Sequence, residues 1–157
     1  MPLNFEKYAA KGNEFVNLLM KELNTEDRDH AGRILRSVFR ALRNRLTVAE
    51  SIQLLAQLPM SLKAFYVDGW KFQQSKNRIK SMEDFAIEVM AEDGKASWRD
   101  FSNVDEATTS IKSVLRTLSK YVSPGEMNDM MDVLPQPLQQ ELKAEVLVNI
   151  ESLQRTN

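Results

Sequence analysis

The sequence predicts an all-α fold, a helical bundle of two pseudo-repeated four-helix units packed on a shared core. Apolar residues recur at helical spacing in successive segments, for example across residues 31–46. No segment of four or more residues alternates between apolar and polar side chains as a half-buried strand does. The third observation is an internal repeat, which sets the number and order of the helices.

The repeat is visible when the sequence is shifted by 76 positions against itself. Residues 29–66 then align with residues 105–142 without a gap, and ten of the 38 pairs are identical. The preceding helices align at a shift of 70, so the second copy carries a six-residue insertion within residues 93–103. We therefore predict a single domain over residues 1–157, with repeat units at about 5–70 and 82–155 and a linker at about 71–81.

Capping and proline signals divide the first unit into four helices. Short polar side chains accept hydrogen bonds from free N–H groups at a helix start, and a glutamate three residues later completes a capping box. Proline excludes helical geometry from the residue before it, and glycine tolerates the left-handed conformation after a last turn. The signals are an end near Asn24, a cap from Thr25 or Asp29, a capping box from Thr47 and Glu50, a break at Leu58 and Pro59, and a terminal glycine at Gly69.

The second unit repeats these signals. Ser81 opens its first helix, and residues 97–100 have the composition of one short helical turn within the insertion. Ser123 and Glu126 repeat the capping box. The last helix, at about residues 135–153, is longer than its counterpart, and we expect it to lie across the first unit.

Composition excludes several classes of protein. The absence of cysteine excludes disulfide scaffolds, cysteine nucleophiles and thiolate metal sites, and the single histidine has no second ligand at metal-binding spacing. The net charge of −1 gives no overall field toward nucleic acid or membrane. We find neither a membrane-spanning apolar stretch nor the apolar core of a signal peptide. These features predict a cytoplasmic protein with no cofactor, no metal site and no membrane partner.

The first candidate binding surface is an arginine face on the second helix, opposite its apolar face. As a functional surface it binds phosphate, nucleic acid or an acidic partner. Two alternatives are a solvated face whose side-chain stems cover apolar neighbours, and pairing with the acidic residues that follow position 123. The four residues are Arg33, Arg36, Arg40 and Arg43.

The linker adds further basic residues beside the aromatic residues Trp70 and Phe72. Proteins that bind single strands combine basic grooves with aromatic stacking surfaces. A solvated connector has the same composition, so both interpretations stay open. The basic residues concerned are Lys71, Lys76 and Arg78.

A small pocket formed by Tyr66, Asp68 and Trp70 is the second candidate. The alternative is that Trp70 anchors the end of the first unit on the bundle, with its indole N–H bonded locally. We expect His30 to be exposed in the first turn of its helix, and we expect the carboxylates to lie on polar faces that do not raise their pKa. The methionine cluster Met127, Met130 and Met131 is expected in the core, because Met130 and Met131 replace leucines of the first unit.

Three runs carry a family resemblance: RALRNRLTVAE at residues 40–50, LAQLPM at residues 55–60 and YVDGW at residues 66–70. Their order resembles an uncharacterised bacterial family, the domain of unknown function numbered twenty-two sixty-seven, over about residues 5–145. The resemblance implies an all-helical bacterial cytoplasmic domain and implies no activity. The second copy departs from the pattern, because it has no counterpart of residues 68–70.

Repeat architectures build extended surfaces, and the sequence holds no glycine-rich phosphate loop and no nucleophile beside a base. We therefore predict a non-enzymatic protein-interaction or regulatory module, whose partner is an unknown protein or a second copy in a homodimer. The alternative is nucleic-acid or anion binding through the arginine face. Catalytic activity is the third interpretation.

Overall fold

Helices are the only regular elements among the described residues, as the sequence predicts. The computed structural model describes residues 3–72, 79–132, 134, 136 and 139–144. Residues 139–144 are helical, and a 3-10 turn occupies Gly94–Ala96. The remaining helices are α1 (Phe5–Leu23), α2 (Arg28–Arg45), α3 (Val48–Gln57), α4 (Met60–Val67), α5 (Met82–Glu92), α6 (Ser97–Asp100), α7 (Val104–Leu118) and α8 (Pro124–Asp132).

Short polar side chains cap most of the helix starts, although the cap of α2 is not the predicted one. Asp27 takes this position, and its Oδ1 accepts the N–H groups of Asp29 and His30 at 3.1 Å each. Asn24 ends α1 in the left-handed conformation, and Thr25 accepts the N–H of Asp27 within the turn that follows. Caps of the same kind start α1, α3, α5 and α7, from Asn4, Thr47, Ser81 and Asn103.

The predicted break between α3 and α4 is confirmed. Thr47 and Glu50 form a complete capping box at the start of α3, and Leu58 leaves helical geometry with ψ of 150° before Pro59. Beyond α4, Gly69 has φ of +67°, a conformation that glycine adopts without a steric penalty. This glycine turns the chain directly after the helix.

Four helices surround the core. α1 contacts α2 and α7, and α5 contacts α2 and α7, so the four helices close a ring. α4 packs on α1 and α2, and α3 connects α4 to α8. Aromatic rings fill the centre, because Phe15, Phe39, Phe85 and Tyr66 are all buried at 1% exposure or less. Burial of each such side chain stabilises the fold by roughly 1.5–3 kcal/mol.

Positions that align at the shift of 76 are buried alike. Helices α2 and α7 direct their aligned apolar residues inward, and Leu42 and Leu118 are exposed by 1% and 0%. The three methionines of α8 are buried as expected. Two of them, Met127 and Met130, align with Ser51 and Leu54 of α3, which are also buried. Most of the predicted last helix lies outside the described residues. Within it Leu142 is buried, at the position that aligns with Tyr66.

The insertion forms the 3-10 turn and α6, so the short turn predicted at residues 97–100 is confirmed. α6 lies against α2. Within the described part of the chain, no helix combines the length and apolar composition that crossing a bilayer requires.

Candidate functional site

The four arginines of the predicted face on α2 have four different environments and do not form one solvated face. Arg33 donates from Nε and Nη2 to the two carboxylate oxygens of Asp100, at 2.8 Å each. The guanidinium carbon of Arg36 lies 5.3 Å from the centre of the Phe65 ring. Arg43 is only 7% exposed, whereas Arg40 is half-buried.

Arg43 connects α2 to the end of α4. Its Nη1 donates to the backbone carbonyl oxygens of Tyr66 and Asp68, at 2.8 Å each. These carbonyls lie at the C-terminal end of α4, where a cation offsets the negative end of the helix dipole. Because Gly69 then reverses the chain, Trp70 returns over the second half of α2.

This arrangement encloses a cavity of about 380 Å³, which we call the arginine cavity. α2 contributes three side chains at spacing i, i+3 and i+4, which share one helix face. The segment after α4 and the last residue of α5 complete the lining. The lining residues are Arg40, Arg43, Asn44, Gly69, Trp70, Lys71 and Glu92.

The arginine cavity therefore brings together three of the seven predicted basic residues, Arg40, Arg43 and Lys71. Arg33 and Arg36 lie elsewhere on α2. Lys76 and Arg78 lie outside the described residues, so Lys71 is the one predicted basic residue of the linker whose position the structure describes.

The electrostatics of the arginine cavity favour an anion. Three cationic side chains line it against one carboxylate, that of Glu92, which accepts a hydrogen bond from Asn44 at 2.9 Å. Arg40 has no hydrogen bond or ion pair within the described part of the chain. Burial, followed by the nearby charge of Arg40, lowers the pKa of Arg43 below its ordinary value.

Of the predicted pocket of Tyr66, Asp68 and Trp70, only Trp70 lines the arginine cavity. Tyr66 is fully buried, its hydroxyl lies 2.8 Å from Ser51 Oγ, and burial raises its pKa to about 12. Asp68 is exposed and engages Arg43 only through its backbone carbonyl.

Trp70 contacts aromatic rings on two sides. Its ring meets Tyr66 edge to face, with centres 5.8 Å apart, which agrees with an anchoring role. It also stacks on Phe72, with centres 4.5 Å apart and an angle of 27° between the rings. The expected local partner of the indole N–H is absent among the described residues.

A second polar cluster, which we call the insertion cluster, is formed by His30, Arg33, Asp93 and Asp100. Two expectations from the sequence are wrong here. His30 is not freely exposed, because its Nδ1 lies 2.8 Å from Oδ1 of Asp100 and its side chain is 24% exposed. The side chain of Asp100 is fully buried between His30 and Arg33. The insertion folds back onto α2, and this places a carboxylate where the sequence predicted solvent.

The acids of the insertion cluster also have shifted pKa values, against expectation. Burial by itself raises the pKa of Asp100, but hydrogen bonds from Arg33, Asp93 and His30 outweigh burial and hold it well below its ordinary value. Burial, followed by a hydrogen bond to Asp100, raises the pKa of Asp93 to about 6. In the ranges that the structure describes, no group of three histidine or acidic side chains is placed to hold a metal ion.

A sequence signal for the insertion cluster does exist. Residues His30 and Arg33 of the first copy align with Glu106 and Thr109 of the second. The insertion supplies the acids Asp93 and Asp100 only once. His30 and Arg33, one turn apart on α2 and without aligned equivalents on α7, are therefore candidate partners for the two acids that only the insertion supplies.

The family model described as Uncharacterized conserved protein (DUF2267) matches residues 12–141. The match includes every residue of the arginine cavity and of the insertion cluster. No curated protein matches the chain.

Proposed function

The chain belongs to this uncharacterized family, and we propose that it is a non-enzymatic regulatory module that binds an anionic ligand in the arginine cavity. The observation that carries the proposal is Arg40, a half-buried guanidinium without a hydrogen bond or ion pair among the described residues, next to the buried Arg43. We place the module in the bacterial cytoplasm, because disulfide bonds rarely form there and a chain without cysteine does not depend on them.

Two neighbouring guanidinium groups repel each other, and the repulsion is stronger where water is partly excluded. An anion bound between Arg40 and Lys71 offsets this repulsion through charge-assisted hydrogen bonds, the strongest kind available to side chains. The cavity volume of about 380 Å³ lies in the range of small-molecule sites.

The lining groups fit retention of a ligand better than its conversion. Arginine and lysine hold an anion by charge, and the carboxylate of Glu92, the one acid among the described lining residues, already accepts a hydrogen bond from Asn44. We assign no bond-breaking step to these residues, so the proposed role is binding, with the occupied state read by a partner.

We further propose that the chain arose from two copies of a four-helix unit within one domain, at about residues 5–70 and 82–155. The equal burial of aligned residues and the ring of α1, α2, α5 and α7 support this origin. The site has no equivalent in the second unit, because Arg43 aligns with Ser119 and the segment around Trp70 has no aligned counterpart.

Titration calorimetry with inorganic phosphate tests the proposed function. Substitution of Arg40→Gln is expected to weaken phosphate binding about tenfold or more, since a charge-assisted contact contributes on the order of 1.5–3 kcal/mol. Arg36→Gln is the matched control: it removes the same charge from the same helix, one turn away from the cavity. Undetectable phosphate binding at millimolar concentration, or an equal loss in both variants, contradicts the proposal.

Protein interaction, including a homodimer, is the second candidate function. Trp98 of α6 is 80% exposed, and tryptophan is among the residues that contribute most to protein interfaces. Val48 and Ile52 are also exposed, one turn apart on α3. Light scattering across a hundredfold range of concentration tests self-association, and a constant monomer mass contradicts it.

A further inference from the structure

We infer that the ligand of the arginine cavity is a nucleoside monophosphate, in which a phosphate group is joined to a flat aromatic ring. This inference rests on the proposed function and adds the ring to it. It depends on the placement of Trp70 and Phe72 beside the basic lining.

The two aromatic residues form a stacked pair at the border of the arginine cavity. Trp70 lines the cavity, as does Lys71, and Phe72 follows in the chain and stacks on Trp70. Aromatic surface and positive charge therefore alternate along three consecutive residues. A ligand that extends from Lys71 toward Phe72 meets both.

Phe72 is unusual in two respects. Its side chain is 64% exposed, although it contacts another aromatic ring. Its backbone has φ of +57°, in the left-handed region that residues other than glycine rarely adopt. Strained backbone of this kind concentrates at ligand-binding segments. Since folding leaves most of this ring in water, a stacking role toward a ligand accounts for the strained position better than core packing does.

The two parts of the ligand correspond to two parts of the site. The phosphate is held by Arg40 and Lys71, with Arg43 behind them. The base stacks on the Trp70–Phe72 pair, and because every base presents a π-face such stacking tolerates different bases. The indole N–H of Trp70, without a partner among the described residues, is a donor for the ribose or the base.

A single nucleotide fits the described surface better than a nucleic-acid strand. A strand requires a basic track that follows its backbone over several nucleotides. On α2 that track is interrupted, because Arg33 is bonded to Asp100 and Arg36 lies over Phe65. The cationic groups instead converge on one concave cavity.

The experiment compares three probes on the full chain by titration calorimetry: adenosine 5′-monophosphate, ribose 5-phosphate and inorganic phosphate. Adenosine 5′-monophosphate is expected to bind about tenfold or more tightly than ribose 5-phosphate, as stacking of one base provides. Phe72→Leu is expected to remove most of this difference and to leave ribose 5-phosphate binding unchanged. Phe5→Leu is the matched control, a 69% exposed phenylalanine at the start of α1.

The outcomes separate this inference from the proposed function. Equal affinity for adenosine 5′-monophosphate and ribose 5-phosphate overturns the aromatic part and leaves anion binding in place. Failure of all three probes to bind overturns both. Affinity that rises with the length of an added oligonucleotide assigns the site to nucleic acid and overturns the mononucleotide. An equal effect of Phe72→Leu and Phe5→Leu also contradicts the inference.

Discussion

Arg40 and Arg116 occupy aligned positions in α2 and α7, yet their surroundings differ. Arg116 donates from Nε to Glu22 of α1 at 3.0 Å, and Lys120 lies 3.3 Å from the other oxygen of the same carboxylate. Burial by itself raises the pKa of Glu22, but the hydrogen bonds from Arg116 and Lys120 outweigh it and lower that pKa. In this half of the molecule, charge serves to join two helices.

The corresponding acid beside Arg40 is Glu92 of α5, which aligns with Glu22 at the shift of 70. Asn44 stands at the position of Lys120 and donates its amide to Glu92 at 2.9 Å. Arg40 has no bond to that carboxylate and lines the arginine cavity instead. Of these two aligned arginines, Arg116 is therefore part of a salt bridge and Arg40 lines a cavity, and their neighbours account for the difference.

The largest expected effect tests whether the two halves share one core. Leu42→Ala and Leu118→Ala should each lower the free energy of unfolding by about 2–5 kcal/mol, because each leaves a cavity in fully buried packing. Urea denaturation followed by circular dichroism measures both, with the 74% exposed Leu3→Ala as control. If either substitution lowers the free energy of unfolding by less than about 1 kcal/mol, the two leucines do not contribute equally to one core.

The insertion is where the halves differ in length, and Asp100 holds it on α2. Asp100→Asn should lower the free energy of unfolding by about 3 kcal/mol, since it leaves Arg33 without its paired charge. Asp129→Asn removes an exposed acid and serves as the control in the same denaturation series. A loss no larger than that of the control means that the insertion contributes little to the stability of the bundle.

Asp93 gives the insertion cluster a dependence on pH. Its pKa is raised to about 6, so the folded chain keeps a proton that the unfolded chain has released. The stability it contributes is complete below about pH 4 and is lost as pH rises through about 6, where the new charge faces the carboxylate of Asp100, with the guanidinium of Arg33 as counter-charge and the ring of His30 in contact with Asp100. Asp100 acts in the opposite direction. Because its pKa is lowered, the stability it contributes is present above about pH 4 and is lost as pH falls further.

Asp93→Asn is expected to remove this dependence. Relative to the unchanged chain, the variant should be more stable by about 1 kcal/mol at pH 7, after allowance for solvent screening, and by less than half of that at pH 4.5, because Asp93 is then mostly protonated in the folded chain. Thermal unfolding at the two pH values measures the difference. A gain that is the same at both values argues against titration of Asp93.

The smallest expected effect distinguishes Arg116 from Arg40. Arg116→Gln should lower the free energy of unfolding by up to about 1 kcal/mol, because it breaks a half-exposed salt bridge. Arg40→Gln should leave stability unchanged or raise it slightly, because it removes a repelling charge beside Arg43. Equal losses in the two variants contradict the distinction between a structural and a ligand-binding arginine.

The elements of the fold were predictable because their signals are local. The capping box at Thr47, the break at Pro59, the turn at residues 97–100 and the buried face of α2 each depend on residues a few positions apart. The cap of α2 was misplaced by two positions, because the length of the turn after Asn24 depends on how the chain leaves α1.

The sites were predictable only in part. The sequence identified Arg40, Arg43, Lys71 and Trp70 as candidates but not that they surround one cavity. It found no setting for a carboxyl with a shifted pKa, because the burial of Asp93 and Asp100 depends on how the insertion packs on α2. It placed His30 in solvent, because the partner of His30, Asp100, is 70 residues away in the chain. No local pattern records a contact over that distance.

The sequence by itself determined the helices, most of their ends and the apolar faces they bury, since these follow from spacing and backbone sterics within a few residues. Only the tertiary structure decided which charges meet. Ion pairs and cavities depend on how the segments between helices return to the bundle, and those returns gave Arg33 and Arg116 partners and left Arg40 facing a cavity.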